Sequence, residues 1–334
     1  MSPQPLVYVH GAGPQQPAPA FKHELDMLLF GRDMPTTRVG YYADVRWPPG
    51  GQPAGGMGAA AGPVGVPRQR RATAIRRAAE PGTSPRVAAT EILKATLRGP
   101  GGAGAAGAAA GPGAAGAAAG PADEKTLADA RRLVERLYAG ADKVAAASSA
   151  AAGPPAAAGA PGLALTPVIP DPIFRFVVGK FASDVLDYLF GPYKEAMRAP
   201  VRAALLATPK PKVVVCHSLG TIITYDVLSE PALAGLGIDL LVTLGSPLAI
   251  ANVQQCLRDG AGRPHPVPPE VHAWENFADL WDPVALDKTL RDDFDPPPRF
   301  AHDHLVNNPA RDNHGLAGYC SVASVRATIA AADG

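Results

Sequence analysis

A single serine lies where a buried strand gives way to a helix. Residues 213–215 are three consecutive valines, a β-branched run typical of a short buried strand. Ser218 follows them, and apolar residues at helical spacing begin directly after it. A strand, a sharp turn with serine and a helix form the context in which a hydroxyl acts as a nucleophile. This stretch therefore predicts nucleophilic chemistry by Ser218.

The strained turn requires small residues two positions before and two positions after the serine. These residues are Cys216 and Gly220. Serine turns of this kind usually have glycine at both places, so Cys216 departs from the pattern, but its side chain is small enough to be tolerated. Ser246 is a rival nucleophile in a second glycine-serine turn. Pro247 follows it directly and no suitable helix begins there, so Ser218 is favoured.

Four motifs together resemble the α/β-hydrolase family, particularly its lipase-like and esterase-like members. They are His10-Gly11-Ala12-Gly13, the turn at 216–220, Asp282-Pro283-Val284 and His314. The likeness covers about the first fifty residues and about the last 130. The resemblance implies an α/β fold with a mostly parallel central sheet and helices on both faces. It implies the version of the family fold that is short at its N-terminal end.

The resemblance also implies a Ser-His-Asp triad. Ser218 is the nucleophile, and the acid is Asp282, with Asp279 as the alternative in the same region. The base is His314, ahead of the last helix, with His304 as the alternative. Either aspartate could instead cap a turn. The order serine, aspartate, histidine is the order that this fold uses.

The family builds its oxyanion hole from two backbone N–H groups. The resemblance assigns one to Ala12, in the turn after the first strand, and the other to Leu219, directly after the serine. An ordinary strand-to-helix turn that needs glycine is the alternative for the first site. His10 is interpreted as a structural loop residue, and His217 is expected to pack beside the serine.

The chain is predicted to be one α/β-hydrolase domain over residues 1–334. Leu6–Val9 is a predicted strand, Phe21–Phe30 a helix and Thr36–Trp47 a second strand, which together make a βαβ unit. Further strands are predicted at Ile238–Thr243 and His272–Asp279. A final helix is predicted at Val322–Ala331.

Residues 48–170 form a Gly/Ala/Pro-rich insertion. Its blocks at 50–56, 99–121 and 145–161 lack bulky side chains, so we expect them to be mobile or disordered. Two helical islands are predicted between them, one at Val87–Leu97 and one starting at Asp123. The basic run at 67–77 favours a solvated helix face over contact with anionic lipid headgroups.

Residues 171–206 carry aromatic and aliphatic side chains at helical spacing, with a break predicted at Gly191-Pro192. A helix pair packed on the sheet is the favoured interpretation. A cap or acyl-binding wall above the active site is the alternative, and both can hold for different faces.

Composition excludes several classes of protein. The net charge of +1 argues against nucleic acid as a partner, and three cysteines do not form a disulfide framework. We expect no secretory signal and no transmembrane helix, and therefore a cytoplasmic protein. Zinc-ligand spacing, Walker motifs and dinucleotide fingerprints are lacking, so neither a metal nor a cofactor is predicted.

The leading functional hypothesis is a serine hydrolase that cleaves carboxylic esters, with a small-molecule or lipid ester as substrate and peripheral membrane contact allowed. A fold-retaining but inactive binding or regulatory module is one alternative. An acyltransferase that uses the same triad is another. The acyl-chain specificity and the oligomeric state are not determined by the sequence.

Overall fold

The computed structural model describes residues 4–47, 68–97, 123–151, 171–233, 235–257, 265–295, 302–310 and 313–331. The strands are β1 (Leu6–Val9), β2 (Thr37–Gly40), β3 (Lys212–His217), β4 (Ile238–Leu244), β5 (His265–Pro266), β6 (Val271–Asp279), β7 (Phe294–Asp295) and β8 (Asp303–Val306). The helices are α1 (Ala18–Phe30), α2 (Ala43–Arg46), α3 (Arg68–Ala78), α4 (Pro85–Thr96), α5 (Glu124–Ala151), α6 (Asp171–Leu189), α7 (Lys194–Ala207), α8 (Leu219–Leu228), α9 (Ala251–Leu257), α10 (Leu316–Ser321) and α11 (Ala323–Ala331).

A six-stranded sheet organises these elements, in the order β2-β1-β3-β4-β6-β8. Every neighbouring pair in it is parallel. The chain leaves β1 toward β2 and returns to β3 on the other side, so the strand order reverses between β1 and β3. In open parallel sheets such a reversal creates a crevice at the carboxyl ends of the strands, where ligand sites form.

Both faces of the sheet are covered, as parallel sheets require. Side chains alternate along β1, so that Val7 and Val9 join the larger core cluster and Leu6 and Tyr8 the smaller one. The larger cluster includes residues of α3 to α9, and the smaller one residues of α1, α10 and α11. The predicted α/β class, with a parallel sheet flanked by helices, is confirmed.

The predicted second strand is wrong in its second half. The strand covers only Thr37–Gly40, and Ala43–Arg46 forms the short helix α2. The backbone N–H groups of Tyr42 and Ala43 both donate to Nε2 of His10, at 3.0 and 3.1 Å. These bonds turn the chain away from the sheet, although the alternating apolar residues resemble a strand.

The two predicted helical islands are present as α4 and α5. The Ser84 side chain accepts a bond from the Val87 N–H, and Asp123 accepts one from Thr126. The helix α5 extends to Ala151, so the expectation of mobility is wrong for residues 145–151. The remaining low-complexity residues, at 48–67, 98–122 and 152–170, lie outside the described residues.

The helices of the insertion belong to the main core. Their apolar faces are buried against α6 and the elements beneath it; the fully buried residues include Ala78, Ala88, Ile92, Leu133, Leu137 and Tyr138. The basic segment is only partly a solvated face. Arg70, Arg76 and Arg77 are exposed, but Arg71 is buried and paired with Asp187, which corrects the prediction.

The predicted helix pair in residues 171–206 is present as α6 and α7, with the break beginning after Leu189. A side chain at Gly191 would come within 2.7 Å of the Asp187 carbonyl oxygen, so glycine lets the chain pass close to the last turn of α6. None of the described helices combines the length and the apolar character needed to cross a bilayer.

Candidate active site

Ser218 lies in a strained turn between β3 and α8. Its φ is 54° and its ψ is −127°, a backbone conformation that non-glycine residues rarely adopt. A Cβ at Gly220 would lie 2.3 Å from the carbonyl oxygen of His10, so only glycine fits there. Cys216 ends in the buried core with its sulfur 3.4 Å from the Val242 carbonyl oxygen, and the turn accommodates it.

The structure brings Ser218, His314 and Asp282 together in one chain of hydrogen bonds. His314 Nε2 lies 2.8 Å from Ser218 Oγ, and Nδ1 lies 2.8 Å from Asp282 Oδ2. All three side chains are buried. Because a carboxylate only accepts, Nδ1–H donates to Asp282, and in that tautomer Nε2 accepts from the serine hydroxyl.

The Asp282 carboxylate is held as an anion by several donors. Its Oδ1 accepts from the N–H groups of Val284 and Ala285, at 2.8 and 3.0 Å. Its Oδ2 accepts from the Tyr319 hydroxyl at 2.7 Å. Burial acts to raise the pKa of Asp282, but His314, the Lys288 ammonium and the Tyr319 hydroxyl outweigh it and hold the pKa below its usual range.

The alternative acid, Asp279, has a different set of partners. Its carboxylate accepts from the N–H groups of Trp281 and Asn308, both at 2.6 Å. Burial raises its pKa, although these two bonds act against the rise. Asp279 therefore ties the turn after β6 to the loop before His314, and it makes no bond to that imidazole within the described residues.

The alternative base, His304, and the alternative nucleophile, Ser246, have other hydrogen-bond partners. His304 lies on the edge strand β8, where Nε2 contacts the Glu275 carboxylate at 2.5 Å and the ring stacks on Phe277. Ser246 Oγ lies 2.9 Å from the Thr221 hydroxyl and accepts from the Leu248 N–H.

The backbone of the loop at residues 10–13 lies directly against the serine. A Cβ on Gly11 would come within 2.9 Å of Ser218 Cβ and 2.7 Å of His217 Nδ1. Across the part of the chain that the structure describes, the Ala12 N–H donates to no acceptor. Leu219 begins α8, so its N–H has no acceptor inside the helix. Both predicted oxyanion donors thus belong to segments that adjoin Ser218.

A buried carboxylate that sequence reasoning missed anchors this loop. Asp184 on α6 accepts from the Gly13 N–H at 2.6 Å, and Gly13 has a φ of 88°. The same carboxylate accepts from Arg46 at 2.9 Å and from the Trp47 indole. Arg46 also pairs with Asp187. Because these partners are far apart in sequence, no local pattern points to them.

Gly245, which directly follows β4, is a second site residue that the sequence did not predict. Its φ is 56°. A Cβ there would lie 2.7 Å from Asp282 Oδ2, 3.0 Å from Tyr319 and 3.1 Å from His314 Nδ1. The sequence drew attention to this Gly-Ser-Pro turn because of Ser246. The structure shows that the glycine matters, because a side chain there would collide with Asp282 and His314.

Two further histidines flank the serine in neutral form. His217 Nε2 donates to the His314 carbonyl oxygen at 2.6 Å, and burial, with His314 adding to it, lowers the pKa of His217 to about 3. His10 is fully enclosed, its Nε2 accepts two backbone N–H bonds, and burial lowers its pKa to about 4. Both roles match the expected loop and packing positions.

A pocket of about 190 Å³ opens onto the serine. Its lining is Gly11, Ala12, Gln15, Val177, Lys180, Phe181, His217, Ser218, His314, Gly315 and Leu316. The helix α6 therefore forms one wall of the pocket, and other residues of the same helix pack in the larger core cluster. Among the described residues, no group of His, Cys, Asp and Glu side chains is placed to hold a metal ion.

Comparison of the chain with protein-family models, with curated proteins and with solved structures found no match. Function must therefore be argued from the geometry alone. That geometry offers a hydroxyl, an imidazole positioned to take its proton, a carboxylate that orients the imidazole, and a pocket in which a reacting group can lie beside the hydroxyl.

Proposed function

We propose that this protein is a serine hydrolase of the α/β-hydrolase type that cleaves carboxylic esters through an acyl-enzyme. The observation that carries the proposal is the chain of 2.8 Å contacts from Ser218 Oγ through His314 to Asp282, set at a turn of positive φ. The strand order and the parallel sheet are compatible with that fold.

The chemistry begins with attack by the Ser218 oxygen on the ester carbonyl carbon, while His314 Nε2 takes the hydroxyl proton. The tetrahedral intermediate collapses when the bond from carbon to the alcohol oxygen breaks, and His314 returns the proton to the departing alcohol. Water then attacks the acyl-enzyme, with His314 again as base, and releases the acid and free Ser218.

Asp282 supports both half-reactions. Its carboxylate holds the Nδ1–H tautomer and stabilises the imidazolium that forms at each proton transfer. Because the pKa of Asp282 lies below its usual range, the carboxylate stays ionised over the whole physiological range.

We assign the stabilisation of the tetrahedral oxyanion to the N–H groups of Ala12 and Leu219. Donors that are already in place when charge develops contribute about 2.7–4 kcal/mol each. Neither group has a competing acceptor in the described part of the structure, as a donor reserved for substrate requires.

The direct test is labelling with a fluorophosphonate probe together with turnover of p-nitrophenyl acetate. We expect the wild type to label and turn over, and Ser218→Ala to lose both while remaining folded. Ser246→Ala, which removes the buried hydroxyl of the alternative nucleophile, is the matched control and should keep its labelling. Labelling that survives Ser218→Ala in folded protein would sink the proposal.

The remaining alternatives give different results in the same assay. An inactive binding module would show neither labelling nor turnover in the wild type. An acyltransferase would label at Ser218 but form ester or amide products when alcohols or amines compete with water, which product analysis by mass spectrometry detects.

A further inference from the structure

One charged side chain in the pocket has no role in the proposed chemistry. Lys180, on α6, is half-buried and lines the same space as Ser218 and His314. A Cβ on Gly13 would lie 3.6 Å from its ammonium nitrogen. The ammonium therefore lies beside the loop that carries the Ala12 N–H.

No carboxylate in the described structure forms an ion pair with this ammonium. The pocket lining contains no carboxylate, and its other ionisable groups are His217 and His314. Lys180 forms no ion pair with any described residue. The ammonium makes a cation–π contact with Phe176, whose ring centre lies 5.8 Å away. A partly desolvated cation without a counter-charge attracts an anion into the site.

The nearest candidate partner in the sequence is already occupied. Asp184 lies one turn further along α6, but its carboxylate binds the Gly13 N–H, Arg46 and Trp47. The spacing of four residues would favour a pair on an isolated helix. Here the fold directs Asp184 to the loop and leaves Lys180 facing the pocket.

We propose that Lys180 binds an anionic oxygen group, a carboxylate or a phosphate, that the ester substrate carries near its reacting carbonyl. This inference rests on the proposed function and narrows its substrate class to anionic esters. The pocket, at about 190 Å³, is smaller than the range of about 300–1,000 Å³ that suits drug-sized ligands. The anion and the ester therefore lie only a few atoms apart.

Matched substrates separate charge from shape. 4-Acetoxybenzoate and 4-acetoxybenzamide differ only in the carboxylate, and 4-acetoxyphenyl phosphate replaces it with a phosphate. Mono-4-nitrophenyl adipate and 4-nitrophenyl adipamate make the same comparison on the acyl side. The ratio of kcat/KM within each pair reports the anion preference, and the preferred member identifies the anion and the side of the ester that carries it.

The variants are Lys180→Met, which keeps the length and removes the charge, and Lys180→Arg, which keeps the charge. For Lys180→Met we expect kcat/KM to fall at least about tenfold on the anionic member of the preferred pair, with little change on the neutral one. Lys180→Arg should retain most of the preference. Lys143→Met, on the exposed face of α5, is the matched control and should leave the ratio unchanged.

An equal loss on anionic and neutral esters, or no loss on either, would overturn the inference while Ser218 labelling keeps the proposed function intact. A binding measurement covers the case in which no ester turns over. Calorimetry with 4-hydroxybenzoate, 4-hydroxyphenyl phosphate and neutral 4-hydroxybenzamide should show a preference for an anion that Lys180→Met abolishes. Equal binding of all three by the wild type contradicts the anion site regardless of catalysis.

Discussion

Two buried polar regions of this molecule stabilise their carboxylates in opposite ways. In the first, which we call the carboxylate turn (Asp279, Asp282, His314 and Tyr319), the donors are backbone N–H groups, one hydroxyl and one imidazole. In the second, the ion cluster (Arg46, Arg71, Asp184 and Asp187), they are mainly guanidinium groups.

The difference in donors indicates a different role for each region. The carboxylate turn keeps a titratable imidazole beside the pocket, with one carboxyl of lowered pKa behind it. The ion cluster consists of buried guanidinium–carboxylate pairs and contains no imidazole. Its ion pairs join α2, α3 and α6 to the loop that faces Ser218. We infer that the first region performs chemistry and the second supports it.

The largest expected effect is on the rate, at the carboxylate turn. Asp282→Asn should lower kcat for p-nitrophenyl acetate about 10⁴-fold, because an amide cannot hold the Nδ1–H tautomer. The measurement is steady-state kinetics with thermal unfolding as a check of folding. Asp279→Asn is the control, and we expect it to affect stability more than rate. Equal rate losses in the two variants would contradict the assigned roles.

The next effect is on stability, at the ion cluster. Asp187→Ala leaves the buried Arg71 guanidinium without its carboxylate and leaves Arg46 with Asp184 alone, and it should lower the free energy of unfolding by about 3–5 kcal/mol. Urea denaturation measures it. Asp129→Ala, which breaks surface pairs with Lys125 and Arg132, should lower it by less than about 1 kcal/mol. If both variants lose the same amount, the ion cluster is not a structural support.

A pH effect sharpens the comparison, because His217 contacts the carboxylate turn and His10 lies in the loop that the ion cluster anchors. The folded-state pKa values of His10 and His217, about 4 and about 3, lie below the unfolded value of about 6.5. The unfolded chain therefore binds more protons as the pH falls below 6.5, and the folded state loses stability.

Between pH 7 and 5.5 the two histidines together should lower the free energy of unfolding by about 2–3 kcal/mol. Urea denaturation at both pH values measures the change. His10→Asn and His217→Asn should each remove about half of it. A pH dependence that neither substitution alters would show that other groups set it.

The smallest effect tests the hydroxyl within the carboxylate turn. Tyr319→Phe removes a donor to Asp282 and an acceptor for the Asp279 N–H. We expect kcat to fall about fivefold to tenfold, since the loss of one such bond costs about 1 kcal/mol. Tyr41→Phe, which removes a hydroxyl bonded to the Gln16 carbonyl, should leave kcat unchanged. A larger loss for Tyr41→Phe would contradict this assignment.

The sequence predicted the features that depend on neighbours in the chain. Strand Leu6–Val9, the strand-turn-helix at Ser218 and the break before α7 follow from short patterns of apolar residues, glycine and proline. The contact of His314 with Ser218 bridges 96 positions, and only the resemblance suggested it. The bond from Arg46 to Asp184 bridges 138 positions and left no sequence signal.

The failures have physical reasons. The alternating residues after Gly40 resemble a strand, but the bonds from Tyr42 and Ala43 to a buried histidine impose a helix. The alanines at 145–151 lack bulk, yet small side chains let α5 pack closely, with Ala145 and Ser148 buried. Tertiary contacts override the local pattern after Gly40, whereas at 145–151 alanine itself favours a helix and neither glycine nor proline interrupts the segment.

The absence of a side chain at position 220 has a mechanical consequence. A Cβ at this position would lie only 2.3 Å from the His10 carbonyl oxygen, so the start of α8 and the first loop are in direct backbone contact. No intervening side chain can absorb a displacement, so the helix and the loop must shift as a single unit. We infer that this backbone contact fixes the spacing between Ala12 and Leu219 before any ligand binds.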